Sequence, residues 1–186
     1  AMCSDHFSPW SERQGQSAFA WSWLGAALQA TSLPFGVVNA PGQRYHPAII
    51  AQAIGTLGAM FPGRFWAALG TGEASNEHIT GAGWPRKEVR NDRLRECVDI
   101  IRALLRGEEV SHDGLVTVDR ARIWTLPDRP PMLIGAAVSV QTAADVAAAF
   151  PDVAYTAPQI QQRVEVTPIA DINVMTMSVE GEPSPE

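Results

Sequence analysis

A chain of 186 residues is long enough for one ordinary domain, and its 46% hydrophobic and 18% charged residues are typical of a globular protein. A net charge of −6 without a basic cluster argues against nucleic-acid binding. The two cysteines, Cys3 and Cys97, have no metal-type spacing and predict a reduced, cytoplasmic protein. No apolar run approaches the roughly 20 residues that span a bilayer, and the first residues show no secretory signal, so no membrane partner is expected.

The first predicted elements alternate between strand and helix. The letters AMC are typical of the end of a buried strand, and LPFGVVN, residues 33–39, predicts another. Between them, a helix over residues 17–31 is predicted from an apolar stripe of Phe19, Trp23, Ala27 and Ala30.

The middle of the chain repeats this alternation. Pro47 suits the first position of a helix over PAIIAQAIGTLGAM. The continuous apolar run GRFWAALG predicts a strand buried on both faces, and the glycine-bearing loop GTGEASNEH, residues 70–78, follows it directly.

The best-defined helix is predicted from Glu88 to Leu105, with an apolar stripe of Leu94, Val98, Ile101 and Leu105. Asp113 and Gly114 then predict a hairpin turn within EEVSHDGLVTVD, and ARIWTL is expected to extend that hairpin. A strand in PPMLIGAA and a helix in VQTAADVAAAF complete the pattern.

Alternating strands and helices with buried-type strands indicate a parallel α/β architecture, either an open doubly wound sheet or a (β/α) barrel. Polar residues after each strand favour the barrel, which typically takes about 250 residues, so an incomplete barrel is expected. Residues 1–150 are predicted to form this barrel portion. Residues 151–186 are predicted to be a divergent tail, strand-like in RVEV and INVMTMSV and disordered at its end.

The segment SDHFSPW places possible catalytic groups where a strand gives way to a loop. His6 titrates near neutrality and is suited to accept a proton from an alcohol. Asp5 would orient it or contact a cofactor, and Trp10 would exclude water from the reacting face. The alternative is a surface loop in which His6 caps the strand and Trp10 packs against a helix.

The loop GTGEASNEH is a second candidate, because glycines after a buried strand let backbone amides approach an anionic or planar ligand. It lacks the third glycine of a dinucleotide-binding fingerprint. Glu73 is a candidate site carboxylate, whereas Glu77 and His78 are expected only to begin the next segment.

Two other chemistries find no support in the motifs. The four histidines form neither an HExxH motif nor a His-x-His pair, so no metal is expected. A serine hydrolase is also disfavoured, since no G-x-S-x-G elbow occurs.

In combination and in order, SDHFSPW, RYHPAIIAQAIGTLGAMFPGRFWAALGTGEASNEH and GWP followed by RLRECVDIIRALLRGEEVSHDG resemble the luciferase-like flavin monooxygenase superfamily. Within it they are most similar to the branch of the F420-dependent glucose-6-phosphate dehydrogenases. The resemblance covers roughly residues 4–136. It implies a (β/α)8 TIM barrel with the cofactor at the C-terminal strand ends, its N-terminal βα unit and C-terminal strands being missing or divergent here.

The resemblance also implies roles for individual residues. His6 takes the position of the general base on a substrate hydroxyl, with Glu73 and Trp10 as catalytic partners at the reacting centre. The positions implied to line the cofactor are Asp5, Thr71, Gly72, Asn76 and the strand end Val37, Val38, Asn39 and Ala40. At that strand end the family has a non-prolyl cis peptide.

The cofactor remains open at this point, because Ala136–Val140 reads AAVSV where the family has a glycine-rich phosphate loop. The expected function is hydride transfer between an organic substrate, expected to be an alcohol, and coenzyme F420. The alternatives are an FMN-dependent monooxygenase of the same superfamily and a non-catalytic truncated paralogue that acts as an oligomeric binding protein. The expected partners are a small-molecule substrate and further copies of the chain, as a homo-oligomer.

Overall fold

The computed structural model describes residues 1–136 and two short strands beyond them. The strands are β1 (Met2–Ser4), β2 (Phe35–Asn39), β3 (Phe65–Leu69), β4 (Val110–Asp113), β5 (Thr117–Ala121), β6 (Met132–Gly135), β7 (Glu165–Thr167) and β8 (Thr176–Ser178). The helices are α1 (Ala20–Ala30), α2 (Pro47–Met60), the short α3 (Ala74–Glu77) and α4 (Lys87–Leu105), with a 3₁₀ turn at His78–Thr80.

The four strands β1, β2, β3 and β6 form one sheet in that order, and every neighbouring pair is parallel. The register aligns Val37 of β2 with Ala67 of β3, and Ala67 with Leu133 of β6. Helices lie between successive strands, as parallel pairing requires. The predicted parallel α/β architecture is therefore confirmed.

The hydrophobic core lies between this sheet and the helices. Val37, Ala67 and Leu69 present one sheet face to apolar side chains of the helices, and Leu24 and Ile54 are completely buried there. Because these strands are parallel, their C-terminal ends lie on the same side of the sheet.

Helix α1 differs from its prediction in both its length and its buried face. It begins at Ala20 rather than at residue 17, and Trp23 and Phe19 of the predicted stripe are exposed. The buried residues are Ala20, Trp21, Leu24 and Leu28. The stripe was wrong because alanines and tryptophans occur on both sides of this helix, and only contact with the sheet selects the face that holds Leu24 and Leu28.

The predictions for helices α2 and α4 agree closely with the structure. Helix α2 begins at Pro47, and the His46 side chain caps it by accepting a hydrogen bond from the Ala48 amide at 3.2 Å. Helix α4 buries its whole predicted stripe, Leu94, Val98, Ile101 and Leu105.

The hairpin is also confirmed, with β4 and β5 antiparallel across the Asp113–Gly114 turn. Strand β5 ends at Ala121, however, so ARIWTL does not extend it. Within the loop predicted at residues 70–78, the structure forms the single turn of α3.

The predicted helix VQTAADVAAAF and most of residues 151–186 lie outside the described residues. Strands β7 and β8 form an antiparallel pair and coincide with parts of the RVEV and INVMTMSV stretches. The domain boundary at residue 150 stays a prediction. In the part of the chain that the structure describes, no helix is both long and apolar enough to cross a membrane.

Candidate active site

The C-terminal ends of the first three strands meet along one edge of the sheet. The Asp5 amide donates to the Val38 carbonyl at 2.9 Å, and the Gly70 amide donates to the Asn39 carbonyl at 2.9 Å. These two bonds extend the ladders just beyond β1 and before the glycine loop. They bring the segments SDHFSPW and GTGEASNEH, which are about 65 positions apart in sequence, into the same region.

Asn76 holds these two segments together. It is 3% exposed, and its Oδ1 accepts hydrogen bonds from the amides of Phe7 at 2.9 Å and Ser8 at 3.1 Å. On the other side of the loop, the Ser17 hydroxyl donates to the His6 carbonyl at 2.6 Å. The backbone around His6 is therefore fixed by side chains from α3 and from the segment before α1.

The His6 imidazole is half-buried and stacks on Trp10, with ring centroids 4.2 Å apart and planes inclined by 36°. Burial lowers the pKa of His6 below its ordinary 6.5, and the positive charge of Arg44 acts in the same direction. The carboxylates of Glu73 and Asp5 oppose that lowering of the pKa. Burial therefore favours the uncharged imidazole, which is the form that can accept a proton.

Glu73 is exposed and occupies the N-cap position of α3, and its charge acts on His6. The preceding Gly72 has φ of 76°, and a Cβ at this position would lie 2.9 Å from the Ala40 Cβ. Only glycine fits this combination of positive φ and close approach. Gly72 and Ala40 thus pack closely against each other at the strand ends.

The Asp5 carboxylate faces protein groups rather than the open edge. Its Oδ2 accepts hydrogen bonds from the Trp21 indole at 3.0 Å and from the Asn39 side-chain Nδ2 at 2.8 Å. Its Oδ1 accepts a hydrogen bond from the Tyr45 hydroxyl at 3.3 Å. The side chain is almost completely buried. These contacts give Asp5 a role in shaping the edge, and its cofactor contact stays a prediction.

The residues of the strand end at 37–40 differ in their exposure to solvent. Val37 is fully buried in the core and Asn39 is 3% exposed, whereas Val38 and Ala40 are partly accessible. Val38 and Ala40 are therefore the members of this group best placed to meet a ligand, and the predicted cofactor contacts of all four residues remain untested.

The prediction of a cis peptide at this strand end was wrong. Every peptide bond in the described residues is trans. Strand β2 keeps its parallel register through the pair Asn39 and Leu69, and the Asn39 carbonyl is engaged by Gly70. A trans backbone satisfies these bonds without the roughly 3–4 kcal/mol that a non-prolyl cis peptide costs.

Arg44 and Glu77 were not predicted as site residues from the sequence, yet the side chains of both are deeply buried. Glu77 was expected only to begin a new segment, yet its Oε2 accepts from the Arg44 amide at 2.9 Å, and its Oε1 lies 3.4 Å from Arg44 Nε. The sequence gives only a weak indication of this pair, because Arg44 and Glu77 each lie in the segment that follows a strand. Spacing along the chain does not reveal that two such residues, 33 positions apart, form a buried pair.

Among the described residues, no group of three or more histidine, cysteine, aspartate or glutamate side chains is arranged to hold a metal ion. The expectation that the protein uses no metal stays a prediction, because part of the chain lies outside that description.

Relatives with the same sequence pattern carry F420-linked names. An F420-dependent glucose-6-phosphate dehydrogenase of Intrasporangium calvum is 46% identical over 132 residues, covering 68% of this chain and 39% of the relative. The enzyme of the same name from Mycobacterium tuberculosis is 42% identical over 133 residues, covering 69% and 40%. The chain spans about two fifths of the length of these curated relatives.

Solved structures agree with this relationship. An F420-dependent secondary alcohol dehydrogenase, solved in complex with an F420–acetone adduct, superposes with a TM-score of 0.72 and 40% identity, covering 76% of this chain and 44% of that one. The F420-dependent tetrahydromethanopterin reductase of Methanopyrus kandleri has a TM-score of 0.64 at 21% identity, covering 77% and 44%, and therefore supports the fold alone.

The model of the family described as luciferase-like monooxygenase matches residues 1–168, most of the chain. The parallel α/β arrangement of the described residues agrees with the TIM-barrel-type fold expected for that family. The chain belongs to the luciferase-like monooxygenase family.

Proposed function

We propose that the chain carries the cofactor-binding edge and the general base of an F420-dependent dehydrogenase that oxidises a hydroxyl-bearing small molecule. The observation that carries the proposal is the half-buried His6 imidazole, stacked on Trp10 at the C-terminal ends of the parallel strands, where burial lowers its pKa. The printed names of the relatives support the cofactor class, and those names point to a sugar phosphate or a secondary alcohol as substrate.

The residues at this edge are compatible with a planar ring. Ala40 and Gly72 approach each other so closely that a Cβ on Gly72 would collide, which leaves a floor of backbone and small side chains. Ala40, Val38 and Thr71 would hold the ring on this floor, beside the His6–Trp10 pair. When bound, coenzyme F420 would supply the hydride acceptor.

In this proposal each side chain has a defined task. His6 Nδ1 or Nε2 accepts the hydroxyl proton of the substrate, and its depressed pKa keeps it neutral for that purpose. Trp10 covers one face of the imidazole and limits the access of water. Glu73 stabilises the imidazolium that forms, because its carboxylate already favours the protonated ring.

The test combines cofactor binding with turnover in the full chain. We expect F420 fluorescence to be quenched on titration, and we expect glucose 6-phosphate or a small secondary alcohol to be oxidised. His6→Ala should lower kcat by at least about 100-fold, the typical contribution of a general base, while the affinity for F420 stays within a few-fold.

His78→Ala is the matched control, because His78 is an exposed histidine that begins the turn after α3. It should retain both binding and turnover. Unchanged turnover in His6→Ala would disprove the base assignment. Binding of FMN in preference to F420, with oxygen consumption by the reduced protein, would instead favour the monooxygenase alternative.

A further inference from the structure

Three charged side chains are buried together behind the candidate base. The side chains of Asp5, Arg44 and Glu77 are 1%, 7% and 2% exposed. Arg44 lies between the two carboxylates, with Nη1 3.9 Å from Asp5 Oδ1 and Nε 3.4 Å from Glu77 Oε1. The three residues come from three separate segments: the end of β1, the loop after β2, and α3.

Arg44 also contacts the backbone that carries His6. Its Nη2 donates to the Asp5 carbonyl at 2.6 Å, and this carbonyl belongs to the peptide bond that joins Asp5 to His6. The Arg44 guanidinium stacks on the neighbouring Tyr45 ring at 4.6 Å, which restricts its rotation. The position of the His6 backbone is therefore coupled directly to the guanidinium.

The other contacts of Arg44 reach the segment that carries Glu73. The Arg44 amide donates to Glu77 at the end of α3, and the Glu77 amide in turn donates to the Glu73 carbonyl at 3.0 Å. Arg44 thus joins the backbone of the candidate base to the single helical turn that begins at the candidate carboxylate.

We propose that Arg44 is a positioning residue for the reaction, because it fixes His6 and Glu73 relative to each other from behind the sheet edge. This inference rests on the proposed function, in which His6 is the base and Glu73 its electrostatic partner. It adds that Arg44 is the residue that holds His6 and Glu73 in position relative to each other.

The charge of Arg44 supports the same role. Burial is the main cause of the lowered pKa of His6; Glu73 raises that pKa, Arg44 lowers it and Asp5 raises it. Arg44 is the only cation among the groups that act on His6 in the described residues. Its removal would leave two carboxylates acting on the imidazole and would favour the protonated ring.

Stability alone is a weak explanation for this buried cluster. Taking three charges out of water is costly, and well-packed apolar side chains often stabilise a fold equally well. A planar guanidinium, by contrast, offers five donors in fixed directions and bonds several acceptors at once. The Arg44 guanidinium donates to the Asp5 carbonyl and lies within ion-pair distance of the Asp5 and Glu77 carboxylates, which belong to different segments.

The chain contains a matched control in Arg64. Its Nη2 donates to the carbonyls of Leu28, Thr31 and Leu33, and its guanidinium lies 5.7 Å from the Phe61 ring. Arg64 therefore donates to backbone carbonyls and lies over an aromatic ring, as Arg44 does, but it has no carboxylate among these contacts. It precedes β3 and lies at the opposite end of the sheet. Loss of Arg64 should affect stability without affecting His6.

The experiment compares Arg44→Met, Arg44→Lys and Arg64→Met with the wild-type chain. The pH titration of His6 is followed through the imidazole Cε1 proton by NMR, and kcat and KM are measured with F420. We expect the His6 titration midpoint to rise in Arg44→Met and to stay at the wild-type value in Arg64→Met. Arg44→Lys keeps the charge and should bring the midpoint back towards the wild-type value. Its kcat should remain about ten- to 100-fold low, because an ammonium cannot hold both segments.

A His6 midpoint that does not move in folded Arg44→Met, or that moves equally in Arg64→Met, would overturn the inference. If Arg44→Met does not fold, Arg44→Lys decides, and an unchanged kcat in that variant overturns the positioning role. The NMR measurement needs neither cofactor nor substrate. A shifted midpoint in a chain that does not turn over F420 would therefore count against the proposed function, while the contact between Arg44 and the His6 segment would stand.

Discussion

At the scale of single residues, buried polar side chains determine the shape of the candidate site. Asn76 accepts hydrogen bonds from two backbone amides of the loop after β1. The Asp5 carboxylate accepts hydrogen bonds from an indole, a side-chain amide and a hydroxyl. Buried polar groups of this kind stabilise a structure only when they are paired, because an unpaired one costs roughly 1–3 kcal/mol. The hydrogen bonds of Asn76 and Asp5 therefore hold the segments on either side of His6 in the observed positions.

If His6 is the base, as proposed, the pH dependence of activity follows from the environment of His6. A base must be neutral, and burial lowers the pKa of His6 below 6.5, so the active form persists at lower pH than for a free imidazole. Activity is thus retained above the lowered pKa and lost as the pH falls through it. We expect the acidic limb of a kcat/KM profile to have its midpoint below pH 6.5. A midpoint at or above that value would contradict the burial of the imidazole.

At the scale of elements, close contact between β2 and β3 depends on one small residue opposite a large one. Gly36 is paired with Trp66 in the parallel register, and the indole covers the space where a side chain on Gly36 would lie. The glycine therefore allows the aromatic ring to lie across the neighbouring strand.

Gly36→Ala tests this arrangement, because the added Cβ would lie 2.0 Å from the Trp66 ring. We expect the free energy of unfolding to fall by roughly 1–3 kcal/mol, the usual cost of overpacking. Gly25→Ala in α1 is the control, since no atom lies within 4 Å of its added Cβ, and it should be neutral or stabilising by about 0.5–1 kcal/mol. Urea denaturation measures both, and equal effects would show that the Trp66 contact is unimportant.

At the scale of the whole molecule, the two faces of the sheet have different surroundings. One face is covered by helices, whereas the other carries Trp66 and Met132, of which Met132 is 61% exposed. Strands β1 and β6 are the two edges of this sheet in the described part of the chain. Unpaired strand edges and exposed apolar side chains favour association.

We therefore expect the purified chain to self-associate as a homo-oligomer. Light scattering coupled to size-exclusion chromatography should give a mass at least twice the 20.1 kDa of one chain. Met132→Lys, which places a charge on the exposed face, should shift the distribution towards the smaller species. A wild-type chain that elutes as a single monomeric species would contradict the expectation.

Much of the architecture followed from local patterns in the sequence. The stripe of α4, Pro47 at the start of α2 and the Asp113–Gly114 turn are short-range signals, because a helix or a turn is specified by neighbouring residues. The segments SDHFSPW and GTGEASNEH also identified the candidate site, since loops that follow parallel strands lie at the same edge of a sheet.

Other features were decided only by the tertiary structure, because they depend on contacts between distant segments. The face of α1 that is buried is selected by the sheet, which takes Leu24 and Leu28 and leaves Trp23 exposed. Arg44 and Glu77 are each ordinary charged residues in the sequence, and folding makes them a buried pair by removing both from water in the same place. The sequence by itself determined the order of the elements and suggested the candidate reactive side chains, whereas the fold determined which other residues contact the segments that carry them.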